Sequence, residues 1–509
     1  MILKQILVGL EGLRVKGDIN LEISNISINS KNIKRDGLFI AIRGYETDGH
    51  DFLEEAIENG AIAVMVEQGV DLEKIKKLSN ITIIMVPNTR FAQSICGCNF
   101  YDHPSTKLKL VGVTGTKGKT TTTFMIKQIL ERTGKKVGVL GTIGIYIGNK
   151  KIDDSDRTTP EGLKLQYILS EMVKQKVEIV VMEVSSQSLK LDRVAGCDFN
   201  IGVFTNLSED HISEKEHENI NEYFEAKSKL FDMCKIGYTN SDDVYGNKLK
   251  KIGKNCEFKT YGLDNPADLL AKDITITNSY SDFLVKLGTR NERVKVCIPG
   301  RFSVYNALAA ISVALNFGAT TEIIKEALQE VRVPGRSELI DNEDELTIMI
   351  DYAHTSDSLF NILDTVKAYT KGRVICVFGC GGDRDKTKRE AMGKVAGEIA
   401  DYSIITSDNP RTEEPKKIIE EIEKGIKQTK GNYKVIVDRK EAIKHAIKIA
   451  TKKDTVILAG KGHEQYQEIS NKIYPFNEKE IVKQIINEIK KQNKKQNKKQ
   501  NKKQNKSKK

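Results

Sequence analysis

The sequence predicts an α/β protein of three domains, with parallel sheets in the second and third, and three observations carry that expectation. Its 509 residues suit about three domains at roughly 100–200 residues each. Short β-branched runs alternate with amphipathic segments of helical length, in two separate series. A glycine-rich turn joins the first run of the first series to its helix.

The first ~100 residues read as a small α/β unit, in which GLFIAIRG (37–44) and AIAVMVE (61–67) flank a helix at 51–59. The first long series starts with KLVGVT (109–114), the glycine-rich turn and a helix from Lys119 to about Arg132, then the strand KVGVLGT (136–142). Thr159 before Pro160 reads as an N-cap with proline at N1, opening a helix to about Lys176. EIVVMEVS (178–185) and NIGVFTNL (200–207) are near-continuous apolar runs, the pattern of parallel strands covered on both faces. A second series follows Pro334-Gly335, with strands LTIMIDYA (346–353), RVICVFG (373–379), YSIITSD (402–408), YKVIVD (433–438) and TVILAG (455–460). The expected domains are 1–105, 106–333 and 334–489, followed by a disordered Lys-rich tail at 490–509.

The net charge of +11 comes from that tail. Residues 490–509 hold eleven Lys and no acid, so residues 1–489 carry 70 basic and 70 acidic side chains. A neutral body argues against a nucleic-acid-binding domain, which carries its basic excess on a folded face. The repeating KKQN of the tail has no apolar residue to offset its ordering entropy. No apolar stretch approaches the ~18 residues of a spanning helix, and the N-terminus lacks the pattern of a secretory signal. Eight Cys without paired CxxC spacing suit reduced thiols in a cytoplasmic enzyme and give no structural-zinc pattern.

The turn Gly112-Val113-Thr114-Gly115-Thr116-Lys117-Gly118-Lys119-Thr120 between strand and helix is a phosphate loop by context. Its N–H groups and the helix N-terminus offer positive potential; Lys119 can reach the β- and γ-phosphates, and the Thr120 hydroxyl suits Mg²⁺. It departs from GxxxxGK[ST] at Val113, and the plain alternative is a glycine-rich turn. Glu183 ends an apolar strand, where a buried carboxylate needs partners and an exposed one is merely solvated.

The loop, together with TTPE (158–161), EVSSQSL (183–189), FTNLSEDH (204–211), PGRFSVYNALAA (299–310), VPGRSE (333–338), DYAHTSDSL (351–359), GCGGDRD (379–385), DNPR (408–411) and GKGHE (460–464), resembles the Mur ligase family from about residue 24 to 480. Within the family the chain is most similar to the branch that adds the third residue of the peptidoglycan stem peptide. The resemblance implies a three-domain architecture with a central P-loop ATPase-type sheet and a C-terminal Rossmann-like domain. It also implies a cytoplasmic, monomeric, ADP-forming ligase that joins meso-diaminopimelate to UDP-MurNAc-L-Ala-D-Glu through an acyl phosphate, using ATP and Mg²⁺.

Residue by residue, the resemblance puts ATP against Gly115, Thr116, Lys117, Gly118, Lys119, Thr120 and Thr121, with Asn306, Arg336, Asp351 and His354 at the adenosine and the domain junction. It gives Mg²⁺ to Thr120 and Glu183, a second Mg²⁺ to His211, and makes Lys227 the lysine that is carbamylated to N6-carboxylysine, with Lys229 a nearby decoy. Ile28, Ser30, Tyr45, Glu46 and Thr47 would lie against the UDP portion, and Thr158, Thr159, Ser185 and Arg193 would hold the muramoyl dipeptide. Arg384 would meet the α-carboxylate of diaminopimelate, and Gly460 and Glu464 its amino end. Arg411, in the loop Asp408-Asn409-Pro410-Arg411, would take the second carboxylate bidentately with Asn409 assisting.

The chain departs from the family at Asn29-Ser30-Lys31, Arg157, Gln187 and Leu191, and DHISEKEH carries two extra residues before Lys227, leaving His217 without an assigned role. Lanthionine or L-lysine as the third residue, or a P-loop binding module without turnover, are the competing readings. An isolated DNPR is also a plain Asx-Pro turn.

Overall fold

The computed structural model describes the chain except residues 46, 74, 76, 77, 156, 210–215, 254, 255, 343–345 and 507–509, and describes 493–506 by backbone alone. Each of the three expected regions has its own sheet, but contacts divide the chain into two compact units. The first is Met1–Ala271 with Lys286–Thr289 and Tyr305–Ala327; the second is Lys272–Val285, Arg290–Val304 and Leu328–Lys509.

The first unit holds a five-stranded sheet in the order Arg14–Lys16, Thr82–Val86, Ala61–Glu67, Gly37–Ile40, Asn25–Ser27, antiparallel only at its first pair. Its larger sheet runs parallel through Glu257–Gly262, Cys234–Asn240, Phe199–Phe204, Lys109–Thr114, Ile179–Glu183 and Val137–Gly141. Gly144–Ile147 and Lys150–Asp153 then close that edge antiparallel. The central strands are buried at every position from Leu110 to Thr114 and from Ile179 to Glu183, as their unbroken apolar runs require.

Sequence position 105 is not a break in packing. Leu163, on the helix Gly162–Lys174, enters the core under the five-stranded sheet, and the Ser94 hydroxyl donates to Asp192 O at 2.8 Å. The helix begins two residues later than expected. Its N-cap is Glu161, and Thr159 is not a cap: its hydroxyl donates to Glu183 O at 2.9 Å and accepts from Ser185 N at 3.1 Å. A tertiary partner 24 residues away outcompetes the local cap.

The second unit contains a six-stranded sheet: Glu338–Leu339, Thr347–Asp351, Thr455–Ala459, Val374–Phe378, Tyr402–Ile405 and Tyr433–Val435, parallel after the first pair. It is doubly wound. Val374, Cys376 and Phe378 share a core with the helices Ser356–Tyr369, Thr387–Ile399 and Pro415–Ile426. The alternate residues Ile375 and Val377 face Arg439–Ile449 and the first turns of the last helix, which is the two-residue period of a strand covered on both sides.

That last helix, Glu478–Lys506, runs through most of the span expected to be a disordered tail. Its start docks through Ile481, Val482, Ile485 and Ile486. The backbone helix then propagates through the KKQN repeat, because elongating a nucleated helix costs far less than starting one, and Lys and Gln are good helix formers. Among the described residues no helix is long and apolar enough to cross a membrane.

Candidate active site

The phosphate loop lies where three buried strands end side by side. Register sets Glu183 beside Val113 and Phe204 beside Thr114. Val113 belongs to the strand itself, so a glycine there has no conformational task. Gly115 does: it has φ +144°, and a Cβ would collide with the Thr205 hydroxyl. Thr205 and Asn206 hold the loop. Thr116 N donates to Asn206 O at 2.8 Å, Lys117 N to Asn206 Oδ1 at 2.9 Å, and the Thr205 hydroxyl to Lys117 O at 2.6 Å. Lys119 curls over the loop, its Nζ donating to Gly115 O at 2.8 Å and Thr116 O at 3.0 Å. Thr121 is buried on the first turn of the helix Lys119–Arg132.

Glu183 is 1% exposed, which settles its two readings in favour of the buried, partnered carboxylate. Its Oε1 accepts from the Thr120 hydroxyl and from Thr142 N, both at 2.9 Å, and its Oε2 from the Thr142 hydroxyl at 3.2 Å. Thr158 joins through a 3.0 Å contact with Thr142. Thr142 is a participant that no motif announces. The Thr120 hydroxyl and Glu183 carboxylate are hard oxygen donors beside a phosphate loop, a set that fits Mg²⁺, which commonly takes one or two carboxylates and completes its shell with phosphates and water. Among the described residues no group of three His, Cys, Asp or Glu could hold a metal alone. His211 lies outside the described residues, as does Glu46.

Lys227 is also 1% exposed. It projects from the helix Ile220–Asp232 under the loop, donating to Gly115 O at 3.0 Å, with its ammonium 4.3 Å from the centre of the Tyr223 ring. Tyr223 in turn donates to the Thr116 hydroxyl at 3.3 Å. Lys229, two residues on, is exposed. Buried His217 contacts the Ser186 hydroxyl at 2.9 Å and packs on Tyr223, and burial lowers its pKa. Asn306 is buried against Gly118, its Oδ1 accepting from the Thr122 hydroxyl at 3.3 Å.

The expected dipeptide residues gather around a carboxylate the motifs do not single out for the role. Glu161 lies 3.0 Å from Arg193, 2.9 Å from Arg157 and 4.0 Å from Arg90. Arg193 is buried, which lowers its pKa against the opposing pull of Glu161. Ser185 is the N-cap of the short helix Ser186–Lys190. In the five-stranded region the Ser30 hydroxyl donates to Glu55 at 2.5 Å, Ile28 packs on the core, and Tyr45 and Thr47 are exposed.

In the second unit the loops after the parallel strands meet at their C-terminal ends, where open α/β sheets place ligands. Asp408 is buried with its Oδ2 3.7 Å from Arg439 Nη1. A Cβ on Gly460 (φ +114°) would lie 2.6 Å from that Oδ2, so only glycine fits. Asn409 is committed within the protein: its Oδ1 accepts from Lys461 Nζ at 2.9 Å and Glu468 N at 3.1 Å, and its Nδ2 donates to Glu464 at 2.8 Å. These contacts tie the loops together. Burial raises the pKa of Glu464, opposed by Lys461.

Pro410 O accepts from Glu413 N in the turn. Arg411 has φ +51° and is clamped, with Nε on Glu468 at 3.1 Å and Nη1 on Gly382 O at 2.6 Å. Arg384 is exposed on the neighbouring loop. Asp351 accepts from Ser337 N at 2.7 Å and Ala353 N at 2.8 Å, and burial raises its pKa despite Arg336. The Arg336 guanidinium stacks 4.4 Å over the Tyr352 ring, and His354 Nδ1 donates to Tyr352 O at 2.7 Å. Lys461 was legible as part of GKGHE; Glu468 and Arg439 carry no motif.

A P-loop sheet and a doubly wound sheet with clustered cations and carboxylates at its ligand edge define a class of nucleotide-dependent ligases. The chain belongs to the Mur ligase family. The family model described as Mur ligase middle domain matches residues 113–314, the glutamate ligase domain model matches 335–462, and the model described as Mur ligase family, catalytic domain matches 22–93. More particularly, the chain is similar to UDP-N-acetylmuramoyl-L-alanyl-D-glutamate–2,6-diaminopimelate ligases. It is 46% identical over 485 residues to ligase 1 of Clostridium acetobutylicum, covering 95% of this chain and 98% of that protein. To the ligase of Caldanaerobacter subterraneus it is 48% identical over 470 residues, covering 92% and 96%. A solved structure of a ligase of that name is 31% identical with a TM-score of 0.68, covering 96% of this chain and 99% of its own.

Proposed function

We propose that this protein is the ATP-dependent, ADP-forming ligase that joins meso-diaminopimelate to UDP-MurNAc-L-Ala-D-Glu in the cytoplasm, acting as a monomer. The observation that carries the reading is the loop cluster in which Asn409 holds Glu464 and Glu468 holds Arg411, in a chain similar along most of its length to diaminopimelate ligases. A cation there suits the second carboxylate of diaminopimelate, and an anion suits its ammonium.

The terminal carboxylate of the dipeptide attacks the γ-phosphorus, giving an acyl phosphate and ADP. The amine of diaminopimelate attacks that carbonyl, and the tetrahedral intermediate expels phosphate. The loop N–H groups and Lys119 bind the phosphates, and Lys119 exchanges its two carbonyl contacts for phosphate oxygens. Thr120 and Glu183 would hold Mg²⁺, which screens the two anions that must meet. Carbamylation of Lys227 replaces a buried ammonium with a carboxylate-bearing group beneath the γ-phosphate. Arg193 pairs with a substrate carboxylate in place of Glu161.

A phosphate-release assay with UDP-MurNAc-L-Ala-D-Glu and a panel of amino acids tests the reading. Turnover is expected with meso-diaminopimelate and only when both substrates are present. Preferred use of lanthionine or L-lysine, or ATP hydrolysis without either substrate, would sink it. Arg411→Ala is expected to lower kcat/KM for diaminopimelate about 30- to several-thousand-fold, the ~2–5 kcal/mol of a broken buried charge pair, with ATP binding retained. Wild-type kcat/KM with continued rejection of lysine would refute the role of Arg411. Deleting residues 490–509 is expected to leave every KM unchanged, because the docked turns of the last helix end before them. A large rise in any KM would show that the tail takes part.

A further inference from the structure

Two of the eight cysteines face each other in the first unit. Cys234 Sγ and Cys256 Sγ are 3.6 Å apart. Cys234 opens the strand Cys234–Asn240, two residues after the helix that carries Lys227 ends, and Cys256 immediately precedes the parallel neighbour Glu257–Gly262. Two glycines make room for the sulfurs. A Cβ on Gly202 would lie 2.8 Å from Cys234 Sγ, and one on Gly237 would lie 2.9 Å from Cys256 Sγ. The stacked rings of Phe231 and Phe258, 5.5 Å apart, pack beside the same two strands.

The two thiols are unlike. Cys234 is buried and Cys256 is partly exposed. The hydrogen bond from Cys234 holds Cys256 below the ordinary thiol range, against burial and the nearby Glu257 and Asp232; the same bond, with burial, pushes Cys234 up. Burial pushes Cys96, Cys197, Cys376 and Cys380 up to about 12. A more exposed, thiolate-leaning sulfur in contact with a second thiol is the arrangement in which one cysteine reacts first and the other resolves it.

We propose that Cys234 and Cys256 form a reactive dithiol that a hydroperoxide closes to an intrachain disulfide. The Cys256 thiolate attacks the distal peroxide oxygen; an S–O bond forms, the O–O bond breaks, and the remaining oxygen leaves as alcohol or water after taking a proton. Cys234 then attacks the sulfenic sulfur and gives up its proton; the S–S bond forms and the S–O oxygen leaves as water. Two thiols are oxidised by two electrons and one hydroperoxide is reduced. The sulfurs close from 3.6 Å to about 2.05 Å.

The test treats the full-length native protein with hydrogen peroxide, caps free thiols with N-ethylmaleimide and maps the peptides. The expected product is a Cys234–Cys256 disulfide, reversed by dithiothreitol and formed about tenfold faster than oxidation of Cys98, a buried thiol that burial pushes up. Cys234→Ser is expected to leave Cys256 as a sulfenic acid that dimedone captures. Cys256→Ser is expected to abolish the fast phase. Independently, phenylarsine oxide should bind the wild type at one equivalent and neither variant, with circular dichroism confirming that both variants fold. Recovery of Cys234 and Cys256 as separate alkylated thiols after peroxide, or of Cys256 oxidising no faster than Cys98, would overturn the proposal.

Discussion

Glu183→Gln is expected to lower kcat by about 10²–10³-fold, the scale of removing one preorganised electrostatic group from a reaction centre. The carboxylate is enclosed and accepts from three donors: the Thr120 hydroxyl, Thr142 N and the Thr142 hydroxyl. Glutamine keeps the volume but removes the charge, and turns one acceptor into an amide donor. That NH₂ must then face a hydroxyl or a backbone N–H, so the Thr120 hydroxyl loses its orientation along with the anion that makes the pair a fit for Mg²⁺. Steady-state phosphate release against ATP and Mg²⁺ concentration measures the effect, with circular dichroism to confirm the fold. A variant retaining more than a tenth of wild-type kcat would mean that Glu183 only ties Thr142 to the sheet.

Arg439→Met is the second large expectation, and here stability moves most. The guanidinium is fully enclosed, its Nε 2.7 Å from Glu478, its Nη2 donating to Ala459 O at 2.8 Å and its Nη1 3.7 Å from Asp408. Burial disfavours the charge, but Glu478 and Asp408 outweigh it and raise the pKa. Methionine fills much of the volume while stranding two buried carboxylates, which costs about 3–5 kcal/mol. At roughly 2–4 °C per kcal/mol, Tm should fall by about 6–20 °C in calorimetry. Because Asp408 opens the DNPR loop, KM for diaminopimelate should rise while KM for ATP holds. Arg439→Met with Glu478→Met should recover part of the Tm but not the KM, since Asp408 still lacks its cation. A Tm shift below about 2 °C for the single variant would show that water already neutralises this network.

Much of the second unit was legible. Its four long apolar runs become strands, and their alternate residues divide between two cores, because a strand covered on both faces needs apolar side chains at every position. YKVIVD stops as a strand at Val435, where its outer position leaves it half covered. The site was legible as motifs and less so as contacts. DNPR and GKGHE marked the right loops, yet Asn409 ties loops together rather than facing out, and the clamp on Arg411 comes from Glu468, 57 residues away. Glu161 was part of a quoted motif, but its encirclement by Arg90, Arg157 and Arg193 joins two regions that the sequence separates.

By itself the sequence determined the central strands, the phosphate loop and the neutrality of residues 1–489 beneath a net charge of +11, because these are written in local periodicity, glycine placement and composition, and its ordered motifs carried the resemblance to the family. The tertiary structure alone decided that Thr159 serves Glu183 and Ser185 instead of capping a helix, that Thr142 completes the Glu183 site, and that Arg439 underwrites Asp408. Those choices depend on which polar groups are brought together and shut away from water, and a buried polar group takes whatever partner the fold delivers, however distant along the chain.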